Sequence, residues 1–212
     1  IDGIDAALRS LGHEVERVGN IFALVERLAS GWRADCVFNI AEGMHGYARE
    51  AQVPALLEAY RIPCTFADAA TLSLCLRKDL TKLVVRDAGL ETARFAVIGS
   101  LADAEKLDLP FPVFLKPVAE GTGKGVSARS LVADRDELLA SVGWMLEHYR
   151  QLILAEEYLP GREYTVGIVG SGAEARVVGG MEVLFNEGSG TVYSYENKAR
   201  YEEKVRYSRI DA

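Results

Sequence analysis

The stretch FPVFLKPVAEGTGKGV, Phe111–Val126, sets how the rest of the chain is read. An apolar run of strand character delivers Lys116 just ahead of Pro117, and the sequence then opens into Gly121, Gly123 and Gly125. Glycines let a backbone approach an anion closely with its N–H groups pointing inward, and a lysine adds a point charge for phosphate. Taken alone, the loop fits a β-turn with a solvated lysine as well as it fits a cover over a triphosphate. It is neither a P-loop, GxxxxGK followed by Ser or Thr, nor the GxGxxG that opens a long helix in dinucleotide-binding folds.

Two flanking stretches add to it. Downstream, LILAEEYLPGREYTVGIV, Leu152–Val169, is an apolar strand ending in Glu156 and Glu157; a connector, Tyr158–Leu159–Pro160–Gly161, leads to a second strand after Glu163. A carboxylate at a strand end can accept from an adenine amino group, connector backbone can read the ring edge, and a second carboxylate can hold ribose hydroxyls. A surface hairpin with solvated glutamates is the competing interpretation. Upstream, LRKDLTK, Leu76–Lys82, puts Lys78 and Lys82 on one helix face, which by itself reads as solvated charge.

From Ile1 to Ala67 the pattern alternates helices (Asp5–Leu11, Ile21–Ala29, Ala51–Tyr60) with strands (Val15–Val18, Cys36–Asn39, one near Cys64), implying a parallel sheet with helical crossovers. Residues 68–157 predict helices over Ala69–Leu76, Lys78–Asp87 and Asp134–Tyr149, with strands at Arg94–Val97, Val113–Lys116, Val126–Arg129 and Leu152–Glu156. Residues 158–212 predict antiparallel strands at Tyr164–Val169, Ala175–Glu182 and Thr191–Tyr195. The expected class is α/β (α+β): an N-terminal parallel α/β domain, a small central α+β domain and an incomplete C-terminal antiparallel one. A strand is expected upstream of the first helix, and further strands downstream of the last.

With 212 residues, 49% of them hydrophobic and 26% charged, the composition is that of an ordinary globular protein. No apolar stretch approaches the roughly 20 residues that cross a bilayer. The amino end lacks the basic flank and apolar core of a signal peptide, which favours the cytoplasm and no membrane partner. Cys36, Cys64 and Cys75 have no CxxC spacing and apolar neighbours, and read as buried thiols. A net charge of −7 with dispersed basic residues argues against nucleic acid and leaves small-molecule chemistry.

Two lysines from separate elements, a glycine-rich loop and an acidic connector, in that order, resemble the ATP-grasp superfamily. The pattern is most similar to the D-alanine–D-alanine ligase family. It is carried by VFNI at Val37–Ile40, LLEAYRIP at Leu56–Pro63, LRK at Leu76–Lys78, FLKP at Phe114–Pro117, EGTG at Glu120–Gly123, GREYTV at Gly161–Val166 and YENK at Tyr195–Lys198. The resemblance implies an ATP-grasp fold and ATP-dependent carboxylate–amine ligation through an acyl phosphate, in cell-wall (peptidoglycan) synthesis. It also implies ATP and Mg2+ as cofactors, an amino-acid or carboxylate substrate, and room for a homodimer.

Carried over, Lys78 and Lys116 would contact the phosphates, with Glu120, Gly121, Thr122, Gly123, Lys124 and Gly125 closing over them. Glu156 would take the adenine amino group, Glu157, Tyr158 and Leu159 would present connector backbone, Glu163 would hold the ribose, and Lys198 would approach the phosphate end. The family's LHGxxGEDG substrate loop stands here as AEGMHGYAREAQVPA, Ala41–Ala55, where His45 and Glu50 are the candidate contacts, and Ala199 replaces the tyrosine after YEAK. Both changes put the substrate's identity in question. Catalytic residues and metal-binding carboxylates are expected beyond Ala212, so no metal ligand is assigned within the chain, and the chain as given is expected to be inactive. A non-catalytic ATP-binding module and an ATP-grasp kinase stay open as alternatives.

Overall fold

The computed structural model describes residues 1–186 and 198–210. They form two compact units, Ile1–Cys75 and Leu76–Ala212. The first holds α1 (Asp2–Ser10), α2 (Ile21–Ala29), α3 (Gln52–Ala59) and all of α4 (Ala69–Leu76) but its last residue. Asn20 starts α2 by accepting from the N–H groups of Phe22 and Ala23, satisfying donors that a helix start leaves open. Leu24 and Leu28 of α2 pack with Val53, Leu57 and Ile62, and Val37 and Cys64 lie at the margin of this cluster.

The strands expected here are thinner than the sequence implies. Val15–Val18 joins no ladder, and the pairing of Cys36–Asn39 with the Cys64 region reduces to one parallel bridge, Val37 to Cys64. A lone pair of short strands is marginal without further strands to extend the ladder, and among the described residues none lies beside these. The cysteines also differ from expectation: Cys36 and Cys75 are exposed and Cys64 half-buried. Val37 takes the inward position at the bridge, and period-two alternation turns its neighbour Cys36 away from the core.

The second unit begins with α5 (Lys78–Asp87), followed by β1 (Phe95–Ile98), α6 (Leu101–Glu105), β2 (Val113–Pro117), β3 (Leu131–Val132), α7 (Arg135–Tyr149) and β4 (Ile153–Glu157). Its strands form one antiparallel sheet in the order β1-β4-β2-β3. A separate sheet, also antiparallel and ordered β5-β6-β7, comprises β5 (Glu163–Val169), β6 (Arg176–Phe185) and β7 (Val205–Ile210), the last preceded by the short α8 (Tyr201–Lys204). The strand expected at Thr191–Tyr195 lies outside the described residues.

The strand expected at Val126–Arg129 starts later, at Leu131, because Ser127 and Ser130 each accept a backbone N–H from the other's end of a 3-10 turn. The sequence reading missed α6, although Ser100 and Asp103 carry a capping signal: Ser100 accepts from the Asp103 N–H, and Asp103 from the N–H of Gly99.

Alternation gives the first sheet two unlike faces. Val113, Leu115, Ile153, Ala155 and Ile98 point to one side, where Leu138, Val142 and Met145 of α7 complete the main core. Lys116 and Glu156 fall on the other, together with Leu154 and Phe95, which pack with Leu76, Val118 and Ala119. Helix α5 is tied to this second face by Lys82. Its ammonium lies 2.7 Å from Glu156 Oε1, bonds Thr92 Oγ1 at 2.7 Å, and sits 5.2 Å from the Phe95 ring centre.

Lys82 is therefore buried, at 9% exposure, and not the solvated charge expected from its helix face. One turn on from Lys78, it lies on the side of α5 that meets the sheet. Glu156 Oε2 pairs with Lys116. Burial pushes the Glu156 carboxyl up, but the ammonium groups of Lys116 and Lys82 outweigh it and hold it below its ordinary value of 4.5.

A carboxyl whose pKa is depressed on folding contributes stability that is present above its unfolded value and lost as pH falls through the folded one. Glu156→Gln should cost on the order of 3 kcal/mol at pH 7, since it strands one buried and one half-buried cation. Thermal melts of the two proteins should converge as pH drops below 4.5, and a gap that stays constant to pH 3 would show that the carboxylate charge is not what stabilises.

Candidate functional site

Lys78 opens α5 and reaches the strand that precedes the glycine run. Its N–H donates to the Val118 carbonyl at 3.1 Å, and its ammonium donates to the carbonyls of Pro117 (3.2 Å), Val118 (3.4 Å) and Glu120. Lys116 is the last residue but one of β2, its side chain 24% exposed. The two lysines are thus held differently: the Lys78 ammonium by carbonyl dipoles past the end of β2, and that of Lys116 by the Glu156 carboxylate, which lies opposite Phe114.

From Glu120 to Val126 the chain winds through tight turns. The Lys124 N–H donates to the Gly121 carbonyl at 2.9 Å, and the Val126 N–H to that of Gly123 at 3.0 Å. Thr122, Gly123 and Gly125 occupy left-handed backbone at φ 51°, 79° and 84°. At Gly125 a Cβ would overlap the Pro117 ring, so only glycine lets the loop fold down on the strand it left. The Glu120 carboxylate accepts from Gln151 Nε2 at 2.9 Å and lies 3.4 Å from the Lys124 ammonium.

The acidic connector leaves β4 next to β2, and Tyr158 stacks on Phe114 with ring centres 6.4 Å apart. The Glu157 N–H donates to the Arg94 carbonyl at 2.9 Å, its carboxylate pairs with the Arg94 guanidinium at 3.0 Å, and the Tyr158 N–H donates to the Pro112 carbonyl at 3.3 Å. Those two amides are therefore committed to the protein. The next one, Leu159 N–H, donates to no described residue, and its side chain is exposed.

Glu163 opens β5 with an exposed side chain. Neighbouring groups that displace water from one side of the carboxyl raise it above its ordinary value, and the Lys198 ammonium pulls the other way. Lys198, expected toward the phosphate end, is thus within electrostatic reach of the proposed ribose carboxylate; Tyr195–Asn197 lie outside the described residues. Just ahead of Glu163 in the chain, Arg162 grips Glu182 through two bonds of 2.6 Å and covers the Tyr164 ring, fixing where β5 begins.

In the first unit, His45 is exposed and its carbonyl accepts from the Gln52 side chain at 3.1 Å. Glu50 is half-buried and lies 3.5 Å from Arg49. A Cβ at Gly43 would overlap the Arg49 carbonyl, so this loop folds back closely on itself. Among the described residues, no group of three or more His, Cys, Asp or Glu side chains is placed to hold a metal ion, and no helix is long and apolar enough to cross a membrane. Sequence reasoning missed Gln151 and Arg94, which carry no motif, and Lys82, whose spacing from Lys78 was the available signal.

The family model described as D-ala D-ala ligase C-terminus matches residues 84–212. A D-alanine--D-alanine ligase from Chelativorans sp. is 31% identical over 193 residues, covering 91% of this chain and 59% of its own length. The chain thus spans well under two thirds of that relative. A D-alanine--D-alanine ligase from Bacillus anthracis, solved in complex with ATP, superposes with a TM-score of 0.62 at 20% identity over 90% of this chain and 56% of its own. The VanG D-Ala:D-Ser ligase from Enterococcus faecalis superposes at 0.62 with 24% identity over 84% of this chain and 51% of its own. By its family-model match, its relatives and its fold, this chain belongs to the D-alanine–D-alanine ligase family of ATP-grasp proteins.

Proposed function

We propose that this chain is the nucleotide-holding part of an ATP-dependent carboxylate–amine ligase. The observation that carries the reading is the placing of Lys116 on one face of the sheet, between the Lys78-anchored glycine loop that leaves one end of the β2/β4 pair and, at the opposite end, a connector whose Leu159 N–H is left open. ATP fits this donor set. Leu159 N–H supplies a donor to the adenine edge, Lys116 and Lys78 supply charge to the phosphates, Glu120–Gly125 closes over them, and Glu163 with Lys198 lies at the ribose side. Both Glu156 oxygens are engaged by lysines, so its part is to hold Lys116 in place, and any contact with the adenine amino group shares that carboxylate.

In such a ligase a substrate carboxylate attacks the γ-phosphate, and an amine displaces phosphate from the acyl phosphate formed. The protein's share is positioning and charge neutralisation. Mg2+ would accompany the phosphates, and no ligand for it is assigned among the described residues. A cytoplasmic location accords with the use of ATP.

Lys116→Ala should weaken ATP binding about tenfold, the size of one lost charge-assisted hydrogen bond. Lys82→Met should instead lower the thermal midpoint by roughly 5 °C with less effect on affinity. Calorimetric titrations and melts read both, and equal losses of affinity would overturn the lysine roles. For the amino-acid substrate, the Ala41–Ala55 loop and Ala199 support a partner other than D-alanine alone. Phosphate release by the whole protein across D- and L-amino acids tests this, and a single preference for D-alanine would sink it.

A further inference from the structure

Gln151 lies between α7 and β4, outside every motif described above. Its side chain is half-buried, and its amide is used at both ends. Oε1 accepts from the Ala119 N–H at 2.8 Å, and Nε2 donates to Glu120 Oε1 at 2.9 Å. The adjoining residue continues the contact, since the Val118 N–H donates to the Leu152 carbonyl at 2.9 Å. Glu120 is the first residue of the glycine loop, and among the described residues Gln151 and Lys124 hold it by its carboxylate and Lys78 by its carbonyl. A planar amide bonded at both ends fixes direction as well as distance.

We propose that Gln151 is the positioning residue that sets the angle at which the glycine-rich loop leaves the sheet, acting through Glu120. Gln151 orients Glu120, and Glu120 orients both the Lys124 end of the loop and the Lys78 ammonium at its base. This deepens the nucleotide-site reading and rests on it for its effect on ATP, but the loop's stem is set with or without nucleotide.

The test follows trypsin cleavage after Lys124 by mass spectrometry in nucleotide-free protein, beside thermal melts and ATP titrations. Gln151→Leu should speed that cleavage roughly fivefold, as expected when net stabilisation of about one hydrogen bond is lost locally, with the melt little changed. Gln151→Glu should act the same way, since it sets two carboxylates together. Adding Glu120→Gln to Gln151→Glu exchanges donor and acceptor, and should return cleavage toward the wild-type rate. Unchanged cleavage in Gln151→Leu, or no rescue by the double variant, overturns the proposal. Failure of the unsubstituted protein to bind ATP would overturn the nucleotide reading, while the cleavage rates still decide the role of Gln151.

Discussion

A carboxylate between two ammonium groups is the constraint on which the rest of the second unit depends. Glu156 sits where β4 lies between β1 and β2, paired across the sheet with Phe95 and Phe114. Removing such a charge from water is costly unless partners replace the lost solvation. Lys116 comes from the neighbouring strand and Lys82 from α5, so one carboxylate joins helix to sheet. The same contact fixes the direction of Lys116 and, through α5, the place where Lys78 starts. Fold and candidate site therefore share one electrostatic centre, and a change there affects both.

The neighbouring groups extend that order outward. Lys78 caps the carbonyls that leave β2, Gln151 bonds the first residues of the loop, and Arg94 holds Glu157 where the connector begins. Each is a polar side chain satisfying backbone or carboxylate groups at the end of a strand, where no ladder partner exists. The result is a loop and a connector whose stems are held by the sheet while the segments between them stay open to a ligand.

Much of this was legible in the sequence. The alternation of FPVFLKP placed Val113 and Leu115 inward and Lys116 outward, and the helices over Ile21–Ala29, Ala69–Leu76 and Lys78–Asp87 fall where the periodicity puts them. Local rules sufficed there because each element's own pattern decides its face. They failed where the outcome depends on a partner distant in sequence. Val15–Val18 has strand composition but no neighbour to pair with, Cys36 looked apolar but faces outward, and Lys82 looked solvated until Glu156, far along the chain, met it. Gln151 gave no signal at all, since its role exists only once the loop and the β4 strand lie side by side.

The glycines of the loop are of two unlike kinds. At Gly125 any side chain would strike Pro117, and the backbone is left-handed as well; at Gly121 a Cβ would meet nothing within 4 Å. The loop thus has an immutable returning limb and a permissive outgoing one. Sequence drift, or deliberate redesign to admit a bulkier nucleotide analogue or to attach a reporter, has its latitude at Gly121, and the geometry that returns the chain to the sheet is left untouched.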